Sequence, residues 1–412
     1  MGVMRSYALS HAWLEHFEHI WVITTSNANR LTAEPLPIDP RIQVIQIPTC
    51  DYRTITSIFS KKSHYSESSK KSFFGKTVVK LLNSFPFNKI IGEGGLIYQW
   101  NAKRTAKRLI KKHSISHIFS SFRPYSDHIV ASRIKRKYPA IKWIADFRDI
   151  HVDALKQNVY FESYQHRQNK AVVKHADIVG TVSKGCADHL RKYHPRVHLI
   201  YNGINDTMVP SENILQDTFS IAYTGSLYGH MRDPSILFKG LHALEQENFF
   251  TRGLQIVYAG KDSGTWNMWI KKFDLEKYNV DKGLCSFDEA RTIQKTSHIN
   301  LQLTFAHPEV TGAITGKLME YVQARRPIVC IINGSRDKEI ESFFDEIMGG
   351  IVVYNNNSHL SRLTAYIKNL YSAYSNNQDH QFNLDQPLLQ KIAWPKLADD
   401  YLALLDNQIP DS

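Results

Sequence analysis

The run Thr315–Gly316–Lys317–Leu318–Met319–Glu320 places a hydroxyl, a glycine, a lysine and a carboxylate at the start of a helical pattern. With Thr315 as the N-cap, the N–H groups of Gly316 and Lys317 fall in the first turn. Those groups lack intrahelical partners, and that end of the helix carries partial positive charge. Such an end binds anions, phosphates above all, and the Lys317 ammonium adds a full charge there. Glu320 lies about one turn deeper. It cannot close a capping box, which needs the acid at the third helical position, here Leu318. A carboxylate beside a phosphate site suits two vicinal hydroxyls, as a ribose offers. The alternative is a plain Lys317–Glu320 pair at i,i+3, worth about 0.2–0.5 kcal/mol.

Other residues have chemical potential. Asp146, Arg148 and Asp149 crowd the end of the apolar run KWIADF (142–147). Buried charge there needs a partner or a ligand, with mutual ion pairing as the alternative. His128 begins a helical pattern and either faces a ligand or serves the core. Gly225–Ser226 and Gly260–Lys261 follow apolar runs, where glycine permits a turn or a close approach of backbone. The four cysteines, Cys50, Cys186, Cys285 and Cys330, lie far apart with no CxxC pair. Neither a zinc site nor a disulfide framework is expected, and a reducing compartment fits.

These residues need elements to hold them. Candidate strands fall at 19–24, 41–47, 116–121, 142–147, 177–183 and 197–203, then at 219–226, 254–260, 298–304, 326–332 and 350–355. Several are continuous Val/Ile runs, as parallel strands covered on both faces require. Helical patterns alternate with them, for example over 95–113 and 233–246, which predicts βαβ units and doubly wound α/β sheets. Eleven strands exceed one domain. The polar stretch 205–217 reads as a linker between an N-terminal domain, 1–204, and a C-terminal domain, 218–394. A last helix over 395–412 is expected to pack back on the first domain. Two Rossmann-like domains facing each other leave a cleft at the carboxyl ends of their strands. The chain opens in a helical pattern, so the first strand and Gly-rich turn of the N-terminal domain are expected to be missing.

Charge is uneven. Residues 1–200 hold 32 Lys and Arg against 14 Asp and Glu, a net of +18 within a total of +12. Lys61–Lys112 alone contains 13 basic residues and two acids, Glu67 and Glu93. Within it, Phe73, Phe74, Val78, Leu81, Leu82 and Phe85 interleave with Lys70, Lys71, Lys76 and Lys80, the pattern of a helix lying on a membrane surface. A core-facing helix with a basic edge is the alternative. No run approaches the ~18 apolar residues of a spanning helix, and no secretory leader is evident. A cytoplasmic protein is expected, attached at most peripherally to the inner face of the plasma membrane.

ITGKLMEYVQARRPIV resembles the donor-site helix of family 4 glycosyltransferases of the GT-B fold, in the bacterial branch that builds capsule, lipopolysaccharide and other surface polysaccharides. SSFRPYSDHIVA (120–131), WIADFRDIHVD (143–153), ADIVGTVSKGCADHL (176–190), YNGIND (201–206) and YTGSLYGHMRDP (223–234) resemble further segments of that family, in the same order. The resemblance spans roughly residues 116–335 and implies two Rossmann-like domains and a nucleotide-diphosphate-sugar donor on the C-terminal one. On it, Glu320 accepts from the ribose, while Lys317, Gly316 and Thr315 hold the diphosphate. Gly225 and Ser226 let their loop approach the phosphates. Gly260, Lys261, Ser286 and Phe287 lie by the base. Asp146, Arg148 and Lys317 are the catalytic candidates it implies, the first two on the sugar-proximal side, and Asp149 and His128 lie on the acceptor side. No metal or other cofactor is implied, since the helix end and cations neutralise the leaving group. Two departures stand out: Gly312 occupies the place of a first family glutamate, with Glu309 out of register, and Ser226 that of a common arginine.

The function these readings predict is metal-independent, retaining transfer of a hexose-type sugar to a lipid-linked or oligosaccharide acceptor. The basic half fits an anionic membrane surface, and nucleic acid is not an expected partner. The alternatives are a GT-B-fold sugar-nucleotide epimerase, which acts without an acceptor, and a non-catalytic basic scaffold or nucleic-acid binder.

Overall fold

In the computed structural model of the chain, the described residues are 2–26, 36–49, 73–153, 157–205, 215–308, 311–312, 314–378 and 380–406. They divide into two compact units. Unit 1 comprises Met1–Tyr201 with Pro395–Ser412, and unit 2 comprises Asn202–Trp394. Most of the expected linker, Lys70 and Lys71, and Glu309 lie outside the described residues.

Unit 1 opens with α1 (Gly2–Ala12), β1 (Ile20–Thr25) and β2 (Ile42–Ile47), followed by α2 (Phe73–Asn83), α3 (Phe87–Ile90) and α4 (Gly95–His113). It continues through β3 (His117–Phe122), α5 (Tyr125–Lys137), β4 (Lys142–Phe147), α6 (Glu162–Val173), β5 (Ile178–Thr181), α7 (Lys184–Leu190) and β6 (Val197–Leu199). Among the described residues β1 and β2 pair as a two-stranded parallel sheet, and β3-β4-β5-β6 form a separate four-stranded parallel sheet. Trp143, Ala145, Phe147 and Val179 of the larger sheet are buried among Ile129 of α5 and Val173 of α6.

Unit 2 runs β7 (Ser220–Thr224), α8 (Ser235–Gln246), β8 (Gln255–Ala259), α9 (Ser263–Lys272), β9 (Asn279–Asp281), α10 (Phe287–Thr296) and β10 (Ile299–Ala306). After these come α11 (Gly316–Ala324), β11 (Ile328–Gly334), α12 (Lys338–Ile347), β12 (Gly350–Tyr354), α13 (Leu360–Ser375) and α14 (Gln386–Ile392). The six strands form one parallel sheet in the order β12-β11-β10-β7-β8-β9. The order reverses between β7 and β10, so this is the topological switch point, outside whose carboxyl ends such sheets bind ligands. Every residue of β7 is buried, as is the run Ile328–Asn333 of β11, so these strands read as unbroken apolar stretches. The edge strand β9 is short and half-exposed, and the sequence pattern does not reveal it.

The last helix, α15 (Trp394–Leu405), supplies Tyr401 to unit 1. Its hydroxyl donates to Asp146 Oδ1 (2.6 Å) and accepts from Arg5 Nη2 (2.8 Å). Arg5 also donates to Asp146 through Nε and Nη2, and to the Ile200 and Tyr201 carbonyls. Arg5 and Asp146 are 1% and 0% exposed. Burial draws the Arg5 pKa down, but Asp146 and Tyr401 more than offset it, so the guanidinium stays charged. A side chain at Gly180 would overlap the Tyr401 ring. This network ties α1, β4 and α15 together. Removing one partner of such a pair strands the other charge in the core. Asp146→Ala is expected to lower unit 1 stability by about 3–5 kcal/mol in urea unfolding. Tyr401→Phe should cost about 1–3 kcal/mol, and the paired change Arg5→Met with Asp146→Leu should recover most of the Asp146→Ala loss.

Candidate functional site

The site forms at the switch point of unit 2. Thr315 is the N-cap of α11, extended in backbone, its Oγ1 accepting from the Leu318 N–H at 3.2 Å. This frees the N–H groups of Gly316 and Lys317 to face outward from the helix end. Lys317 is 8% exposed. Its ammonium sits 4.8 Å over the Tyr223 ring. Burial, and then the nearby Arg232, push its pKa down to about 7, against an upward pull from Glu320. Gly225 is constrained by its own backbone and by Lys317: its φ is +142°, and a Cβ there would overlap the Lys317 ammonium. Any side chain at 225 would expel the cation. Gly260 is equally constrained, since a Cβ would collide with the Gly225 carbonyl oxygen.

Glu320 is also withdrawn from water. Burial raises its pKa, opposed by hydrogen bonding from Gln294 and by the charges of Arg291 and Lys317. Gln294 Nε2 donates to Glu320 Oε2 (3.4 Å) and to Thr224 Oγ1 (2.9 Å). Tyr321 Oη accepts from the Thr224 N–H at 3.2 Å, fixing α11 to the end of β7. A shallow groove between α10 and α11, lined by Arg291, Lys295, Glu320 and Gln323, opens beside the carboxylate.

The loop after β7 adds cations. Arg232 Nη1 donates to the Ser226 carbonyl (2.9 Å), and its guanidinium lies 4.5 Å from the centre of the Tyr228 ring. Lys261 approaches the same ring at 5.7 Å. Asp262 Oδ2 holds the loop by accepting from the Leu227 N–H at 2.8 Å. Lys317, with Arg232 close enough to act on its charge, thus stands at a helix end suited to phosphate, with a carboxylate one turn deeper suited to hydroxyls. Arg232, Gln294 and Arg291 escaped the sequence reading. Arg232 stands six residues after the expected arginine position at Ser226, and Gln294 belongs to a helix whose contact with Glu320 no local spacing reveals.

The remaining expected residues are placed as follows. Ser286 belongs elsewhere in its side-chain chemistry: it caps α10, with its Oγ accepting from the Glu289 N–H and its own N–H bonded to the Glu289 carboxylate. Phe287 follows it, stacked on Arg291 at 4.4 Å. In unit 1, Asp146, read as a catalytic candidate, is the buried anion of the Arg5–Tyr401 network. His128, expected on the acceptor side, packs in the core. It is 0% exposed, within 2.7 Å of Ser120 Oγ and 4.3 Å from Phe147, ring centre to ring centre. Burial pushes it down to about 3, so it stays neutral. Arg148 donates to the Phe122 carbonyl and Ser121 Oγ, and Asp149 accepts from the Ile150 N–H; both stay partly exposed at the end of β4. No group of three or more His, Cys, Asp or Glu able to hold a metal occurs among the described residues.

With this geometry in place, comparison with known proteins locates the fold. No protein-family model matches the sequence, and no curated protein matches it. Among solved structures, a sucrose-phosphate synthase from Thermosynechococcus elongatus aligns over 97% of this chain and 91% of its own, with TM-score 0.60 and 12% identity. The lipopolysaccharide outer core galactosyltransferase WaaB, in its apo form, aligns over 95% of this chain and 100% of its own, with TM-score 0.51 and 9% identity. An α,α-trehalose 6-phosphate synthase from Burkholderia multivorans gives 95% and 98% coverage, TM-score 0.50 and 10% identity. The likeness is one of fold. The two Rossmann-like units of this chain have the GT-B glycosyltransferase architecture.

The Lys317 site carries a testable cost. A lysine whose folded pKa lies near 7 but whose unfolded pKa is near 10.5 weakens the fold below pH 7, where both states are protonated but only the folded one buries the charge. Between those values the unfolded state binds more protons, so stability rises with pH. Lys317→Met should therefore stabilise the ligand-free protein by on the order of a few kcal/mol at pH 6, and the gain should vanish near pH 10.5. Thermal unfolding of both proteins across that range checks it.

Proposed function

We propose that the protein is a glycosyltransferase that takes a nucleotide-diphosphate sugar on unit 2 and passes the sugar to a lipid-linked or oligosaccharide acceptor in bacterial surface-polysaccharide synthesis. The observation that carries this is the buried Lys317 ammonium at the amino end of α11, beside a side-chain-free position at Gly225 and one turn from Glu320. A buried cation without a neutralising ion pair is costly, and a diphosphate at the helix end compensates it. Glu320 then accepts from the ribose hydroxyls. In the reaction the bond from the anomeric carbon to the diphosphate breaks as the acceptor oxygen attacks. Lys317, Arg232 and the α11 N–H groups stabilise the charge that grows on the leaving phosphate. The same cations supply that charge stabilisation without a metal.

Retention of anomeric configuration and membership of family 4 are part of this reading, supported by the motif resemblance around Thr315–Glu320 and by the shared fold. The N-terminal unit is the acceptor side, and its basic surface attaches the enzyme to the anionic inner leaflet. No helix among the described residues is long and apolar enough to cross a membrane, so contact with lipid is peripheral in this reading.

Thermal-shift measurement with UDP, GDP, ADP and TDP sugars tests the proposal. One donor should raise the melting temperature, since ligand at ~100 Kd adds about 2.7 kcal/mol. Glu320→Ala and Lys317→Ala should each abolish the shift. Binding should weaken as pH climbs above about 7, because the neutral Lys317 must take up a proton to meet the diphosphate. No shift with any donor, or a shift indifferent to both substitutions, contradicts it. Turnover of a sugar nucleotide into its epimer without acceptor would favour the epimerase alternative.

A further inference from the structure

Gln294 has no part in the reaction proposed above, yet it sits at the centre of the site. It stands in the last turn of α10, a helix that packs on both α11 and β7. At 2% exposure its amide must find its partners within the protein. Nε2 donates to Thr224 Oγ1 at 2.9 Å and to Glu320 Oε2 at 3.4 Å, and the Gln294 main-chain carbonyl accepts from Asn300 Nδ2 at 2.9 Å. Thr224 Oγ1 in turn lies 3.2 Å from Tyr321 Oη. One amide thereby joins α10, β7, β10 and α11.

An ionised carboxylate only accepts hydrogen bonds, so the amide edge that meets Glu320 is the NH2. That group has two protons, one for Thr224 and one for Glu320, and with both in use the amide cannot turn. Among the described residues Gln294 is the one side chain that hydrogen-bonds the Glu320 carboxylate, and no cation pairs with it within 4 Å. Arg291, whose charge acts on Glu320, stacks on Phe287 at 4.4 Å instead. The carboxylate is therefore held at Oε2 and open at Oε1, beside the groove between α10 and α11. A neutral amide suits such a post better than a lysine or an arginine. A paired cation would compete with a ligand hydroxyl for the charge, whereas the amide fixes the carboxylate and leaves its charge in place. An acceptor already fixed in orientation gives up less freedom when a hydroxyl docks on it.

We infer that Gln294 is a positioning residue: it holds the Glu320 carboxylate through Oε2 and presents Oε1 to a ribose hydroxyl, so that the site selects ribonucleoside diphosphates over their 2′-deoxy counterparts. The inference rests on the transferase reading, in which Glu320 meets the ribose, and adds the group that sets its aim. Without Gln294 the carboxylate remains but samples several rotamers, and the gain from the hydroxyl falls.

The test is calorimetric titration of the full chain with three nucleotide pairs: UDP and dUDP, GDP and dGDP, ADP and dADP. The members of a pair differ only in the 2′-hydroxyl. The pair that binds should show at least about a tenfold preference for the ribose form, as a hydrogen bond to a charged acceptor gives. Gln294→Met keeps the length of the side chain and removes the amide. It should cut the preference to within about threefold and leave the affinity for the 2′-deoxy form unchanged, whereas a purely architectural role would weaken both forms alike. Gln294→Leu, which also lacks the amide, takes its place if the methionine variant does not fold. On a Glu320→Ala background Gln294→Met should change neither affinity further. Equal binding of both members of every pair by the unsubstituted protein overturns the inference. So does full ribose preference in a folded Gln294 variant, an equal loss for both forms, or an additional loss on the Glu320→Ala background. If the unsubstituted protein binds no nucleoside diphosphate, the transferase reading falls and this inference with it. If it prefers the ribose form and the variants do too, only the role of Gln294 falls.

Discussion

A lysine ammonium held out of water against the side-chain-free position of a glycine is the constraint around which unit 2 is organised. Lys317 reaches Tyr223 and Gly225 only because β7 ends beside β10, where the strand order reverses. Its position also depends on Thr315 starting α11 at the right residue and on Tyr321 and Gln294 pinning that helix to Thr224. Gly260 must lack a side chain for the Gly225 carbonyl to sit where it does. Each of these features is a small adjustment of backbone or packing. Together they keep a cation partly desolvated, a state that a protein sustains only with compensation from elsewhere.

The two units treat buried charge in opposite ways. In unit 1 the Arg5 guanidinium is met by Asp146, Tyr401 and two main-chain carbonyls, so it is fully answered within the protein and serves to lock the last helix onto the sheet. In unit 2 the Lys317 ammonium has an aromatic face, a second cation and a carboxylate one turn away; burial and then Arg232 lower its pKa, and the pull of Glu320 does not offset them. A closed network of the first kind needs no ligand. The same distinction separates His128, neutral and packed among Phe122 and Phe147, from the partly exposed Arg148 and Asp149 at the end of the same sheet.

Much of this was legible in the residues themselves. Of the twelve strands among the described residues, eleven were legible, several of them, such as Ile328–Gly334, because a parallel strand covered on both faces is a continuous apolar run. The exception, Asn279–Asp281, is a three-residue polar edge. The α11 cap was readable because a threonine before Gly-Lys leaves few other starts, and the helix at 95–113 because its apolar face recurs at helical spacing. What local spacing cannot show is partnership across the chain. Arg5 and Asp146 lie 141 residues apart, so three charges at the end of β4 looked available for chemistry although one was already neutralised. Ser286 shows a different kind of partnership: Ser286–Phe287–Asp288–Glu289 forms a capping box at the start of α10, a local role readable from the same four residues.

The amino end of α11 is set from a second direction as well. Asp337, wholly buried at the N-cap of α12, accepts from the Glu339 and Ile340 N–H groups through Oδ1 and from the Gly312 N–H, at 2.8 Å, through Oδ2. One carboxylate thereby starts one helix and anchors the segment that leads into the other. Gly312 has φ +70°, and a Cβ there would overlap the Glu339 carboxylate. The position where the resembling family carries a glutamate therefore has a backbone that disfavours a side chain, and an acid from the first turn of α12 occupies the adjoining space. A negative charge at that helix start is favourable on its own account. The departure at 312 and the presence of Glu339 are thus two sides of one packing arrangement, in which the acid beside Gly312 comes from the following βα unit.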